Sequence, residues 1–305
     1  MPVKAREDKT AAKKELTRKQ IVRRARMSRW ITETAFRLQS GLTRAKVGKE
    51  VFLETEAGKV RTLWYGSDDQ TVQPVLFDMH GGGFILMHAD SDEPMNLRFA
   101  DQVGCKVISV DYAKAPEHPF PEAVNEVYAV VKCVVEHAQE YGIDPSRMAV
   151  GGHSAGGNLA AVTAMQSMKK GDFTFRCQVL DYPVLDLATS PCDKPSPKGS
   201  VPPRMATVFD RSYMADLADA RNPYVSPVYA ERGDLEGLPP AIVIVAGKDS
   251  LRDEGVRYAN MLREAGVEAE LREFPDEPHG FTMKPGLGAQ QAIGLMIDFM
   301  KAHLR

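Results

Sequence analysis

Residues 147–159, Arg-Met-Ala-Val-Gly-Gly-His-Ser-Ala-Gly-Gly-Asn-Leu, constrain the fold more than any other stretch of this chain. Met148, Ala149 and Val150 read as the end of a buried strand and Leu159 to Met165 as a helix without breakers; Gly152-His153-Ser154-Ala155-Gly156 is the turn between them. So sharp a turn holds its central serine in strained backbone geometry, and the flanking positions tolerate almost no side chain if strand and helix are to approach. The hydroxyl then stands above a sheet at a helix N-terminus, where free amides and the helix dipole favour a developing negative charge. A Gly-rich turn of this kind also occurs as plain packing, so the rest of the chain has to decide its use.

The remaining text alternates strands with helices. Glu50 to Glu54 and Lys59 to Tyr65 read as a hairpin through Ala57-Gly58. Buried strands are expected at Val75–Met79, Cys105–Val110, Met148–Val150, Arg176–Leu180 and Ala241–Ala246, and a more polar one near an edge at Glu268–Phe274. Helices are expected at about Glu93–Gln102, Pro121–Glu140, Ala155–Lys169, Asp253–Ala265 and Gly288–His303. That order implies an α/β fold, a mostly parallel sheet covered by helices on both faces.

Two regions depart from the rhythm. Residues 1–20 are polar and are expected to begin disordered. Gln20 to Gln39 then read as an amphipathic helix with Val22, Met27, Trp30, Ile31, Thr34 and Leu38 near one face. A basic helix of this kind suits either a membrane surface or, the reading preferred here, packing over the main domain. Asp186 to Pro239 is rich in Pro, Ser and Asp, and so long a connection inside an α/β domain is usually a functional excursion. The expected division is N-terminal cap helices in 1–45 and one domain in 46–305, with a cap or lid excursion at about 186–226.

Composition narrows the partners. At 43% hydrophobic and 26% charged residues with a formal net charge of −2, the chain gives no reason to expect nucleic acid or anionic lipid. Cys105, Cys133, Cys177 and Cys192 are scattered without metal spacing, and the first three lie in apolar runs, so they read as free thiols of a reducing compartment. With no apolar run near membrane-span length and no signal-like segment at the N-terminus, a cytoplasmic location with no integral membrane segment is expected.

An elbow serine is a poor nucleophile unless a base takes its proton and an anion fixes that base's tautomer. The partners should follow the serine as acid and then histidine, each in a loop after a later strand. Asp249 stands just beyond the strand ending at Ala246, and His279 stands in the loop before the last helix; of seven histidines only His279 has that place in the chain. Asp253 reads as the cap of the following helix, which leaves Asp249 free, and Asp186 is the rival acid. His80-Gly81-Gly82-Gly83-Phe84 follows a strand, and Gly82, Gly83 and Ala155 can offer three amides to one oxyanion. Trp30, Phe36, Phe84 and Phe209 are candidates for an apolar, substrate-binding pocket wall, though any of them could equally be core.

Taken together, His80–Phe84, Asp111-Tyr112 with Ala115–Pro121, Gly152–Leu159, Asp249–Gly255 and His279-Gly280-Phe281 make residues 45–305 resemble the hormone-sensitive lipase-like carboxylesterases of the α/β-hydrolase superfamily. The resemblance implies an eight-stranded sheet with a helical cap, Ser154 as nucleophile, His279 as base, Asp249 as orienting acid, and Gly82, Gly83 and Ala155 as oxyanion donors. It also implies short- to medium-chain carboxylic esters as substrates, with no cofactor and no metal. A small-molecule ester is thus the expected partner, and a homodimer is left open. A noncatalytic small-molecule receptor on the same fold, or hydrolysis of amides or lactones, is the alternative. This chain departs from the family in having His153 where Asp or Thr is usual and Ala113-Lys114 where Arg-Leu is usual. His153 is a rival base, but neighbours on a tight turn point apart; the change more readily alters the hydrogen bonds behind the serine.

Overall fold

The computed structural model describes residues 16–40, 47–67 and 71–305, the side chains of 36–40 excepted; the expected disorder of 1–15 and the side chain of Phe36 lie outside them. Among these residues one sheet has eight strands in the order β1-β2-β4-β3-β5-β6-β7-β8. The strands are β1 (Lys49–Thr55), β2 (Gly58–Tyr65), β3 (Gln73–Met79), β4 (Lys106–Val110), β5 (Ile143–His153), β6 (Cys177–Asp181), β7 (Ala241–Lys248) and β8 (Ala269–Pro278). β1–β2 and β2–β4 pair antiparallel, and the other neighbours pair parallel.

The apolar runs of the inner strands serve two cores at once. Along β7, Ala241, Val243 and Val245 point into one cluster while Ile242, Ile244 and Ala246 point into the other. A strand buried on both faces has no polar side, which is why it reads as a continuous apolar run. Each fully buried Val or Ile contributes about 1.5–3 kcal/mol relative to an exposed one.

The helices are α1 (Arg18–Ser40), α2 (Glu93–Phe99), α3 (Glu122–Glu136), α4 (Ala138–Tyr141), α5 (Ala155–Lys170), α6 (Pro203–Tyr213), α7 (Arg232–Leu235), α8 (Arg252–Glu264) and α9 (Leu287–His303). α3, α5 and α8 cover one face of the sheet, and α2 and α9 cover the other. The expected helix at Glu93–Gln102 ends earlier and passes into a π-turn at Ala100–Gly104, and the one at Pro121–Glu140 breaks at His137.

The N-terminal helix corrects its predicted facing. Ile21 and Ala25 are its buried stripe, whereas Met27, Trp30 and Ile31 are half to two-thirds exposed. Nine residues at 3.6 per turn place Trp30 roughly 180° around the helix from Ile21. Arginines occupy part of the inward face: Arg29 donates to Ile85 O at 2.9 Å and to Ala115 O, while Arg26 and Arg29 each reach Glu117 at 2.8 Å. A long stem that packs while its guanidinium finds carbonyls can face inward as well as leucine can. α1 packs on α6, a helix in the excursion that turn-rich text conceals.

All four cysteines are free; Cys105, Cys133 and Cys177 are buried and Cys192 is exposed. Among the described residues, no helix is long and apolar enough to cross a membrane.

Candidate active site

Parallel strands deliver their loops to one end of the sheet, and three such loops meet there. β5 ends at His153 and α5 begins at Ala155, so Ser154 alone makes the turn, with φ 55° and ψ −116°. A β carbon on Gly156 would stand 1.8 Å from the carbonyl oxygen of Met79, and one on Gly152 would stand 2.5 Å from the same atom. Only glycine lets the start of α5 press so close to β3. The Ser154 amide donates to Asp181 O at 2.9 Å and pins the strained turn to β6.

Asp249 follows β7 and His279 follows β8, adjacent strands in the sheet. Asp249 Oδ2 lies 2.6 Å from His279 Nδ1, and His279 Nε2 lies 3.1 Å from Ser154 Oγ. A carboxylate can only accept, so Nδ1 carries the proton and Nε2 is free to accept from the serine hydroxyl. The other oxygen of Asp249 accepts the Leu251 amide at 3.2 Å, which fixes the carboxylate in a buried place. The cap expected of Asp253 is not formed: Leu251 is the N-cap of α8 with no side-chain cap bond, and Asp253 sits in the first turn against Arg252 at 2.7 Å. Asp186 accepts from the amides of Ala188 and Thr189 and the Thr189 hydroxyl, closing its own turn.

The glycine loop after β3 forms the facing wall. Gly82 and Gly83 have φ of 109° and 59°, conformations costly for other residues. Among the described residues the amides of Gly82, Gly83 and Ala155 donate to no protein acceptor, and that of Ala155 opens α5 without an intrahelical partner.

Gly82, Gly83, Ser154 and His279 all line one cavity of about 340 Å³. Phe84, Met205 and Phe209 are among its apolar walls, with Phe84 stacked on Tyr213 at 3.8 Å. Phe209 comes from α6 and lies against Gly83. Trp30 is not among the lining residues, because its side of α1 faces outward. Tyr182, unnoticed in the sequence, lines the cavity and meets the His279 ring edge-on at 5.0 Å; its place directly after β6 was the available signal. Lys194 and Asp210 also line the cavity, hidden by the irregular text of the excursion.

Buried carboxyls stand behind the elbow. Burial pushes Asp181 up to about 8 and Asp78 up to about 6, and Asp92 is raised as well, first by burial and then by the charges of the other two. Where the family pattern departs at Ala113-Lys114, Lys114 closes onto Asp111 at 2.5 Å and onto Tyr112 O at 2.9 Å.

Fold and site together define an α/β hydrolase: the model of the "alpha/beta hydrolase fold" family matches residues 76–283, and the chain belongs to that family, in the hormone-sensitive lipase-like branch its motifs indicated. Esterase LipI of Mycobacterium tuberculosis is 33% identical over 243 residues, spanning 78% of this chain and 76% of the relative. Carboxylic ester hydrolase LipN of the same organism is 37% identical over 259 residues, 81% of this chain and 68% of the relative. The solved structure of EstE1, a thermostable carboxylesterase cloned from a metagenomic library, superposes with a TM-score of 0.82 at 31% identity, covering 92% of this chain and 98% of EstE1.

Proposed function

We propose that this α/β hydrolase, a carboxylic ester hydrolase like its relatives, works through an acyl-enzyme on Ser154. The observation that carries the reading is the continuous line Asp249–His279–Ser154 at the wall of an apolar cavity. His279 takes the hydroxyl proton as Ser154 Oγ attacks the ester carbonyl, and Asp249 stabilises the imidazolium. The tetrahedral oxyanion is received by the amides of Gly82, Gly83 and Ala155. His279 then returns the proton to the leaving alcohol and activates water to release the acid. A receptor on this fold has no use for a nucleophile lined up with a base, and both relatives and cavity favour ester hydrolysis.

Finer points belong to the same proposal. Residues 186–226 act as a cap, since Pro191, Val201, Met205 and Phe209 roof the cavity, with α1 bracing that cap through α6. The limited cavity suits short to medium acyl chains. Four free cysteines suit a reducing compartment, which we take to be the cytoplasm. Hydrolysis of a panel of p-nitrophenyl esters by wild type and Ser154→Ala tests the reading. Turnover by wild type that is absent from the variant is expected; equal rates from both would overturn it.

A further inference from the structure

We infer that His153 is a positioning residue for the oxyanion loop: its Nε2 accepts the amide of Gly81 and so sets where the amides of Gly82 and Gly83 point. The inference rests on the ester-hydrolase reading above. His153 ends β5 immediately before the nucleophile, and the turn sends the two side chains apart. Ser154 reaches His279, whereas the His153 ring lies buried beneath the glycine loop, its Nε2 3.0 Å from the Gly81 nitrogen. The fit is close, since a β carbon on Gly81 would stand 2.6 Å from that Nε2.

The other bonds of the loop hold its carbonyls. Tyr112 donates to His80 O at 2.8 Å, the amides of Ile85 and Leu86 donate to Gly82 O, and the amide of Ala115 donates to Phe84 O. The Gly81 carbonyl is likewise held, by His80 Nδ1 at 2.7 Å and the Tyr112 hydroxyl at 3.4 Å, but its amide, one residue before the first proposed oxyanion donor, is held by His153 alone among the described residues. An imidazole nitrogen that accepts an amide is unprotonated, so the neutral ring carries its hydrogen on Nδ1, which faces Asp92 Oδ2 at 3.4 Å. Neither oxygen of Asp92 has a hydrogen-bond partner among the described residues. Burial holds the His153 ring down at about 3, so Nε2 remains an acceptor at neutral pH. The roles of the two neighbouring histidines are therefore distinct: His279 exchanges a proton with Ser154, and His153 holds backbone.

The side-chain oxygen of Gln can occupy the place of Nε2 and accept the same amide; Asn is too short, and Leu has no acceptor. Wild type, His153→Gln, His153→Asn and His153→Leu are compared on p-nitrophenyl acetate, with circular dichroism melts to establish folding. For His153→Leu and His153→Asn, kcat falls by about 10- to 100-fold, a fraction of the loss of a whole oxyanion donor, while KM stays within about threefold. His153→Gln keeps kcat within about fivefold of wild type, because its amide oxygen replaces the lost acceptor. Inhibition by a trifluoromethyl ketone weakens in step with kcat, as binding of a tetrahedral adduct must if the amides are misplaced. Hydrogen–deuterium exchange of the peptide containing residues 80–84 is faster in the Leu and Asn variants and unchanged in Gln. A folded Gln variant as impaired as Asn, or a Leu variant with wild-type kcat, overturns the inference. The exchange comparison needs no turnover: a wild type inactive on every ester defeats the hydrolase reading, while loop exchange still decides the anchor.

Discussion

His279 Nε2 and Ser154 Oγ lie 3.1 Å apart although 125 residues separate them in the chain. The sheet makes this contact, since β5 and β8 deliver their loops to the same end and Asp249 turns the ring from the loop between them in space. Asp249→Asn keeps the shape but offers an amide that can present its N–H to Nδ1 and stabilise the wrong tautomer. A fall in kcat of up to about 10⁴-fold with KM little changed is expected, measured by steady-state kinetics on p-nitrophenyl acetate. A loss smaller than tenfold would remove Asp249 from the role given to it.

Gly156→Ala tests the elbow as architecture. The added methyl would stand 1.8 Å from Met79 O and 2.7 Å from His80 O, both backbone atoms that cannot swing aside. Destabilisation beyond about 4 kcal/mol is expected, seen as insoluble expression or a collapsed urea midpoint. A soluble variant with the wild-type midpoint would show that α5 can retreat from β3.

Asp181 gives a pH dependence with a defined sign. Burial raises its carboxyl to about 8 in the folded state, against 3.8 as the ordinary value. Between those limits the folded protein holds a proton that the unfolded chain has released, so the contribution of Asp181 to stability is most favourable below pH 4 and falls as pH rises toward 8. One proton gives a slope of up to about 1.4 kcal/mol per pH unit. Asp181→Asn keeps an oxygen for the Thr282 hydroxyl, now donating at 2.6 Å, and removes the titration. Urea unfolding at pH 5, 6.5 and 8 should show the variant gaining on wild type as pH rises; a constant difference would mean that Asp181 is charged in the fold.

Phe209 lies over Gly83 inside the cavity, so Phe209→Ala extends the space beside Ser154. Wild type is expected to favour acetyl to hexanoyl esters and to fail on dodecanoyl, and the variant to raise the octanoyl-to-acetyl ratio of kcat/KM by about tenfold, the scale of one or two methylenes in an apolar pocket. An unchanged ratio would place the acyl chain elsewhere.

The parts legible in the sequence were those governed by local rules. Strands buried on both faces announce themselves as apolar runs, as Ala241–Ala246 did, and Gly152 to Gly156 and Gly81 to Gly83 mark places where backbone meets backbone. Asp249 and His279 could be found because each directly follows a strand. The facing of α1 is not legible because apolar periodicity assumes that arginine looks outward, whereas Arg29 reaches two inward carbonyls, those of Ile85 and Ala115. Asp253 reads as a cap because it stands at the helix start, but α8 begins at Arg252, which puts Asp253 inside the first turn, past the capping position. α6 was hidden by the prolines before it, although Pro203 at its first turn is where a helix accepts proline.

Among the described residues β8 is the outermost strand on its side of the sheet, paired through β7 alone, and its residues are partly or fully solvent-exposed. His279, the proposed base, thus follows an edge strand, while Ser154 follows β5 near the middle of the sheet. Local opening of a border strand costs less free energy than global unfolding. Mild warming or dilute urea should therefore silence the enzyme while its circular dichroism is still that of the intact fold, and cooling should restore it.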